Sequence, residues 1–259
     1  MTTLSDLPLI GNFIRTIDQD IKEYSFIQAM RNVVKRSHTR LEIRGLRSGA
    51  RDILQTKSAV VVANHPNEAE VIALIASLPE RNDVYLIVNA RMLGIVKDLD
   101  RHLIPVYIEH HNNPYHHNEI LSYLLKTYHP KNTLTPEKEH EHNIKSIARA
   151  ADLVNGGGLV IIFPGRRSVD GHWFPGVGHL VKNIISRKRT YIVQVFSQGT
   201  SWMDYLRLIP FTGVFLPVIT MNFAQPLIVD DIWIHNPKKT TSILEKIYHA
   251  WTKKVIPSR

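Results

Sequence analysis

Residues 60–70 read Val60-Val61-Val62-Ala63-Asn64-His65-Pro66-Asn67-Glu68-Ala69-Glu70, an apolar run that passes directly into a histidine and, five positions on, a carboxylate. Four consecutive apolar residues, three of them β-branched valines, predict a buried strand. The segment from Glu68 to Leu78, carrying Val71, Ile72, Leu74 and Ile75, predicts a buried helix. His65 then occupies a strand-to-helix turn at the carboxyl edge of a sheet. That is where α/β folds place chemistry, and the helix N-terminus behind it favours negative charge. Within one regular helix, side chains five apart diverge by about 140°. With His65 ahead of the helix and Glu70 in its first turns, the two can meet. The carboxylate would hold one ring nitrogen as N–H and leave the other to accept a proton, as a general base requires. A histidine that caps or braces a tight turn is the other reading of the same residues.

Outward from this stretch, Val84-Tyr85-Leu86-Ile87-Val88 predicts the next buried strand, followed by Asn89-Ala90-Arg91 and a short helix from Leu93 to Leu99. Leu103-Ile104-Pro105-Val106-Tyr107-Ile108 predicts a third strand, its proline near the start, where a missing N–H is tolerated. Strand, helix and strand at this spacing imply right-handed crossovers in an α/β fold with a mainly parallel central sheet flanked by helices.

Toward the N-terminus, Ile10, Phe13, Ile14, Ile17, Ile21 and Tyr24 recur at helical spacing and predict an amphipathic helix over 8–24. Phe26, Ile27, Met30, Val33 and Val34 form a second apolar set, interleaved with Arg31, Lys35 and Arg36. The mixed charge of the first helix favours packing on its own domain over packing on lipid. Arg40-Leu41-Glu42-Ile43-Arg44-Gly45 alternates and ends in glycine, as an edge strand and turn do. We therefore expect an N-terminal amphipathic helical segment at 1–38 and an α/β domain over 39–259.

A chain of 259 residues with 44% hydrophobic content can furnish one sizeable core. It has no cysteine, which removes disulfides, thiolate nucleophiles and Cys-ligated zinc and fits a reducing compartment. No apolar stretch reaches the roughly 18 residues of a membrane span, and no signal-peptide layout opens the chain, so a cytoplasmic location is expected. A formal charge of +9 implies an anionic partner: nucleic acid, an anionic membrane surface or a phosphorylated small molecule. No RNA-recognition signature, zinc finger or basic-leucine heptad is present, so no nucleic-acid partner is expected.

Residues 109–142 hold seven of the fourteen histidines, among them the doublets His110-His111 and His116-His117. Such doublets do not converge as metal ligands must, so no metal is expected, and the stretch reads as a polar surface insertion with a short helix over 120–126. Thr135-Pro136-Glu137 predicts a helix start, Ile144, Ile147, Ala148, Ala151 and Val154 its buried stripe, and Gly156-Gly157-Gly158 its end. At the C-terminus, Ile243, Leu244, Ile247, Tyr248, Trp251 and Val255 share one side of a helix with Lys253 and Lys254 near its end. This helix suits either a membrane interface or closure of the core.

After the triple glycine, Leu159-Val160-Ile161-Ile162-Phe163 predicts another buried strand, running into Pro164-Gly165-Arg166-Arg167-Ser168. A glycine lets a ligand approach the backbone, and guanidinium groups match phosphate oxygens in pairs. A surface turn with solvated arginines is the alternative for this stretch alone.

With both motifs in view, the chain resembles the glycerophospholipid acyltransferase family. Its members carry a His, four residues and an Asp at a strand-to-helix turn, and a later strand ending in Phe-Pro-Glu-Gly-Thr-Arg. The resemblance spans roughly Leu41 to Pro226 and includes the Ile104-Pro105-Val106 strand, the Asp170-Gly171 turn and a late strand at Leu216-Pro217-Val218. Glu70 stands where the family has Asp. The second motif is one residue short: the family's Glu is missing, Gly165 matches its Gly, Arg166 its Thr and Arg167 its Arg. The family's other phosphate-binding arginine falls near the apolar Ile108, leaving Arg91 and Arg101 as substitutes.

The resemblance implies acyl transfer from a thioester, acyl-CoA or acyl carrier protein, to a hydroxyl of a glycerophosphate or lysophospholipid, with no cofactor beyond the donor itself. His65 would be the general base and Glu70 its partner, while Gly165, Arg166, Arg167, Arg91 and Arg101 would bind substrate. It also implies a peripheral protein at the inner face of an anionic membrane. An acyltransferase for a different lipid acceptor, and a catalytically silent binder of anionic lipid, are the alternatives that the altered motifs raise.

Overall fold

The structure is a computed structural model that describes residues 8–46, 49–108, 127, 134–165, 172–233 and 235–256. The helices are α1 (Pro8–Glu23), α2 (Phe26–Arg36), α3 (Ala50–Thr56), α4 (Ala69–Ser77), α5 (Pro136–Asn155), α6 (Gly176–Lys182), α7 (Val229–Ile232) and α8 (Pro237–Val255). The strands are β1 (Leu41–Arg44), β2 (Ser58–Ala63), β3 (Val84–Asn89), β4 (Leu103–Val106), β5 (Leu159–Ile162), β6 (Thr190–Gln198), β7 (Ile219–Phe223) and β8 (Leu227–Ile228). They form one sheet in the order β1-β7-β6-β2-β5-β3-β4, with β8 alongside β6.

Strands β2 to β6 run parallel, as the crossover spacing predicted. β7 and β8 run against β6, and β1 runs with β7, so one flank of the sheet reverses direction. Gly45 closes β1 at φ +78, where a Cβ would come 2.1 Å from the Phe223 carbonyl oxygen; only glycine fits that turn.

β2 is central and buried on both faces, which is why its valines are continuous rather than alternating. Ala59, Val61 and Ala63 face a layer that includes Ile17 and Ile21 of α1, Ile27 and Met30 of α2, and Leu74 of α4. Val60 and Val62 face the other layer, with Ala151 and Val154 of α5, Leu180 of α6 and Leu244 of α8. The amphipathic N-terminal helices thus pack on the protein's own sheet. α8 closes the opposite layer, burying Leu244 and Tyr248, so core closure rather than an interface is its role.

Four local expectations need correction. A single helix over Leu93–Leu99 does not form; two short 3-10 turns flank Gly94, whose φ of 79 breaks the helix and whose N–H donates to the Asp100 carboxylate. Ile144 is exposed, and Ser146 and Ala150 complete the stripe of α5 instead. Leu216-Pro217-Val218 precedes the late strand, because β-pairing begins only where Ile219 meets Leu41; the Pro217 carbonyl is taken by Arg207. The fourth concerns Arg101 and is taken up with the site. Thr135 caps α5 with Pro136 at its first position, as predicted. The predicted short helix over 120–126 and most of the histidine-rich stretch lie outside the described residues.

Candidate active site

β2 and β5 are neighbours, with Val62 opposite Ile162, so the residues that follow each strand emerge side by side at the carboxyl edge. His65 follows β2 and Phe163 follows β5, and their ring centroids lie 5.0 Å apart. β3 ends at the same edge and delivers Arg91, which is half-buried in the 3-10 turn capped by Asn89.

Glu70 lies in the first turn of α4 and is buried to 1% side-chain exposure, while the His65 ring remains 27% exposed. The Glu70 carboxylate hydrogen-bonds Nδ1 of His65, so the pair anticipated from the sequence does meet. The backbone N–H of Asn67 donates to both carboxylate oxygens at 3.2 Å. A carboxylate in the first turn of a helix also lies where the backbone dipole favours negative charge. Burial pushes the Glu70 carboxyl above its usual range, opposed by its hydrogen bond and charge interaction with His65. A carboxylate that holds Nδ1 fixes the imidazole tautomer and ring orientation and leaves Nε2 as the other nitrogen of the ring.

The turn is braced from β6. Asn64 Nδ2 donates to the Ser197 carbonyl at 3.0 Å, and its Oδ1 accepts from the Ser197 N–H at 2.8 Å and the Ser197 hydroxyl at 3.0 Å. Asn67 Nδ2 reaches the Thr200 hydroxyl at 3.1 Å. Beneath them, the Tyr248 hydroxyl of α8 donates to the Val195 carbonyl at 3.2 Å, and burial pushes that phenol upward. These positioning residues were missed by sequence reasoning. The polar Asn64 closing an apolar strand is a signal of sorts, but its partner is 133 positions away.

Gly165 forms an antiparallel bridge with Trp173, and the Phe174 N–H donates to the Pro164 carbonyl at 2.8 Å. Pro164 and Gly165 are therefore tied to Trp173 and Phe174 beside β5. Arg166 and Arg167 themselves lie outside the described residues. Arg101 corrects an expectation: it precedes β4, which runs parallel to β3, and so stands at the edge opposite His65. Its guanidinium turns to the Ile21 carbonyl of α1 at 3.4 Å. The structure thus brings His65, Glu70, Arg91 and Gly165 to one edge and leaves Arg101 at the other.

Fold and site together define a mainly parallel α/β protein, helices on both faces, with a histidine–carboxylate pair at the carboxyl edge of its central strand. Residues 44–219 match the family model described as Acyltransferase, and the chain belongs to that family. No curated protein matches the chain. Among solved structures it is similar to the crystal structure of the 1-acyl-sn-glycerophosphate (LPA) acyltransferase PlsC from Thermotoga maritima. The two share 14% identity with a TM-score of 0.53, over 96% of this chain and 89% of that one. At that identity the likeness is one of fold.

Proposed function

We propose that the protein moves a fatty acyl group from a thioester, acyl-CoA or acyl carrier protein, to a hydroxyl of a glycerophosphate or lysophospholipid. The observation that carries this reading is the hydrogen bond between His65 Nδ1 and the buried Glu70 carboxylate at the sheet edge. With Nδ1 held as N–H, Nε2 takes the acceptor's hydroxyl proton as the oxygen attacks the thioester carbonyl carbon. The oxygen–carbon bond forms and the carbonyl electrons shift to oxygen, where backbone N–H groups near the start of α4 stabilise the charge. On collapse the carbon–sulfur bond breaks, and the departing thiolate recovers the proton from the imidazolium. Glu70 stabilises the imidazolium in between.

Arg167 and Arg166 hold the acceptor's phosphate in this reading, with Gly165 admitting it close to the backbone and Arg91 contributing from the neighbouring strand. Arg101 has no part in it. Among the described residues no helix is long and apolar enough to cross a membrane. In this reading the protein works in the cytoplasm, peripheral on the inner face of an anionic membrane. The test is turnover of labelled acyl-CoA and lysophosphatidate by wild type and His65→Ala. Product from wild type and its loss in a folded His65→Ala protein are expected, and near-normal turnover by that variant rules the mechanism out.

A second reading, acyl transfer to another lipid acceptor such as a glycolipid or an ornithine-type lysolipid, is favoured by the shortened second motif and by the displacement of Arg101 from the site. A panel of acceptors separates the two.

A further inference from the structure

The segment between β6 and β7 is built inside out. Half of the exposed large apolar side chains among the described residues fall within Trp202–Phe215, including Trp202 (73% exposed), Phe211 (66%) and Phe215 (86%). In the same segment the charged pair is buried: Arg207 and Asp204 are only 7% and 6% exposed, and Nε of Arg207 meets Oδ1 of Asp204 at 2.8 Å. Arg207 also donates to the Pro217 carbonyl at 2.8 Å and the Thr39 hydroxyl at 3.2 Å. A Ser201–Asp204 capping box fixes the start of the segment. Backbone bonds from Phe211 to the Arg36 carbonyl and from Gly213 to the Ser37 carbonyl pin its far end to α2. This is an anchored element that holds its aromatic side chains outward. Exposed apolar residues scattered singly are ordinary, but a contiguous patch marks an interaction surface.

The surroundings of the patch are basic. Lys35, His38 and Arg40 are exposed at the end of α2 and the approach to β1, beside Arg36, which is ion-paired with Asp20, and the His38 and Phe211 rings lie 4.7 Å apart. An open groove of about 600 Å³, lined in part by Arg31, Lys35, His38, Arg40 and Val214, joins the basic and apolar surfaces. Aromatic side chains ringed by Lys and Arg complement a lipid surface, apolar beneath and anionic at its headgroups. Strand directions fix the orientation: β2 and β6 end, and β7 and β1 begin, at one edge of the sheet. The patch therefore flanks the edge that carries His65.

We propose that Trp202–Phe215, with the basic end of α2, is the surface by which this protein docks on an anionic lipid bilayer, presenting the His65 edge to it. The binding stands on the patch alone, and only its service to catalysis rests on the acyl-transfer reading. The test is co-sedimentation with phosphatidylcholine vesicles with and without phosphatidylglycerol. Wild type is expected to bind the anionic vesicles and to weaken as salt rises. Trp202→Ser with Phe215→Ser should lower the affinity about tenfold or more. Lys35→Gln should lower it roughly fivefold. His65→Ala should bind as wild type, so loss of acyl transfer and loss of docking are read separately. Brominated lipid should quench tryptophan fluorescence in wild type and less in Trp202→Phe, which keeps an apolar ring and guards against a misfolded serine variant. Wild type that ignores anionic vesicles, or serine substitutions that leave binding unchanged, would overturn the proposal. So would light scattering that shows a dimer dissociated by those substitutions, since the occupant would then be a second copy of the chain.

Discussion

Asn64 and Ser197, 133 positions apart in the chain, are joined by three hydrogen bonds that fasten the His65 turn to the neighbouring strand. The side-chain amide reproduces what a ladder residue would offer, donor to carbonyl and acceptor from N–H. β2 is thereby tied to β6 one step beyond its last paired residue, Ala63. The direction in which His65 leaves the sheet is set by this clasp.

Asn64→Ala should therefore act on both stability and rate. It leaves the Ser197 N–H and hydroxyl short of an acceptor in a half-buried place, a loss of about 1–3 kcal/mol. Urea unfolding should show that drop. Turnover should fall more than apparent substrate affinity, because the base is misplaced while the groups assigned to the acceptor are untouched.

Glu70 permits a test by length as well as by charge. Glu70→Asp restores the residue type found in related enzymes yet withdraws the carboxylate by one methylene from Nδ1 of His65 and the N–H of Asn67. A displacement of that order costs about 10²-fold in rate. Glu70→Gln keeps the length and removes the charge, and should cost about two to four powers of ten. Steady-state kinetics with the acyl donor saturating compares the two, and an Asp variant as active as wild type would dispose of the length argument.

The same residue sets a pH dependence. Burial, the largest influence on Glu70, raises its folded value above the unfolded one. The native state therefore keeps a proton that the unfolded chain has already released. Stability attributable to this group falls as pH climbs from the ordinary carboxylate range through the raised folded value, then levels off. Glu70→Gln should flatten that part of the urea-midpoint profile. Catalysis runs the opposite way, since an ionised carboxylate is needed to hold the imidazole. Turnover should decline on the acid side as the Glu70 carboxylate takes up its proton.

Gly178 tests how α8 is seated. A Cβ there would stand 1.9 Å from the Pro237 carbonyl oxygen and 2.5 Å from the Thr241 hydroxyl, so α6 and α8 cannot both keep their positions. Gly178→Ala should cost at least about 1–3 kcal/mol, read as a lower melting temperature. α8 also carries Tyr248, which supports Val195 under the His65 turn, so residual activity should fall as well.

Arg207 is the keystone of the 202–215 segment. Replacing it with Met strands Asp204 as a buried unpaired charge, a cost of about 3–5 kcal/mol. Arg207→Lys should not rescue it, because one ammonium cannot serve the Asp204, Thr39 and Pro217 oxygens that the planar guanidinium reaches together. Thermal melts of the two variants check both statements.

What the sequence determined by itself is local. A run of valines without alternation means a strand covered on both faces, and β2 is one. A histidine at the end of such a strand followed by a carboxylate in the first helical turn can meet only if the turn is short, and the six residues from His65 to Glu70 contain that contact. Thr135-Pro136 starts a helix by chemistry confined to its own first turn. These features were legible because their causes lie within a few residues of one another.

The rest depended on neighbours that sequence separation hides. That β5 lies beside β2, bringing Phe163 to His65, follows from strand order, and so does the placement of Arg101 on the far edge. The Asn64–Ser197 clasp and the seating of α8 join residues 133 and about sixty positions apart. The inside-out character of Trp202–Phe215 is invisible in its composition, which mixes aromatics with charges as a buried segment would. Only the packing of Arg207 and Asp204 inward, against Thr39 and Pro217, turns the aromatic side chains to the surface. Burial of a charged pair pays when the surrounding fold supplies its remaining partners, and that supply is a property of the folded chain.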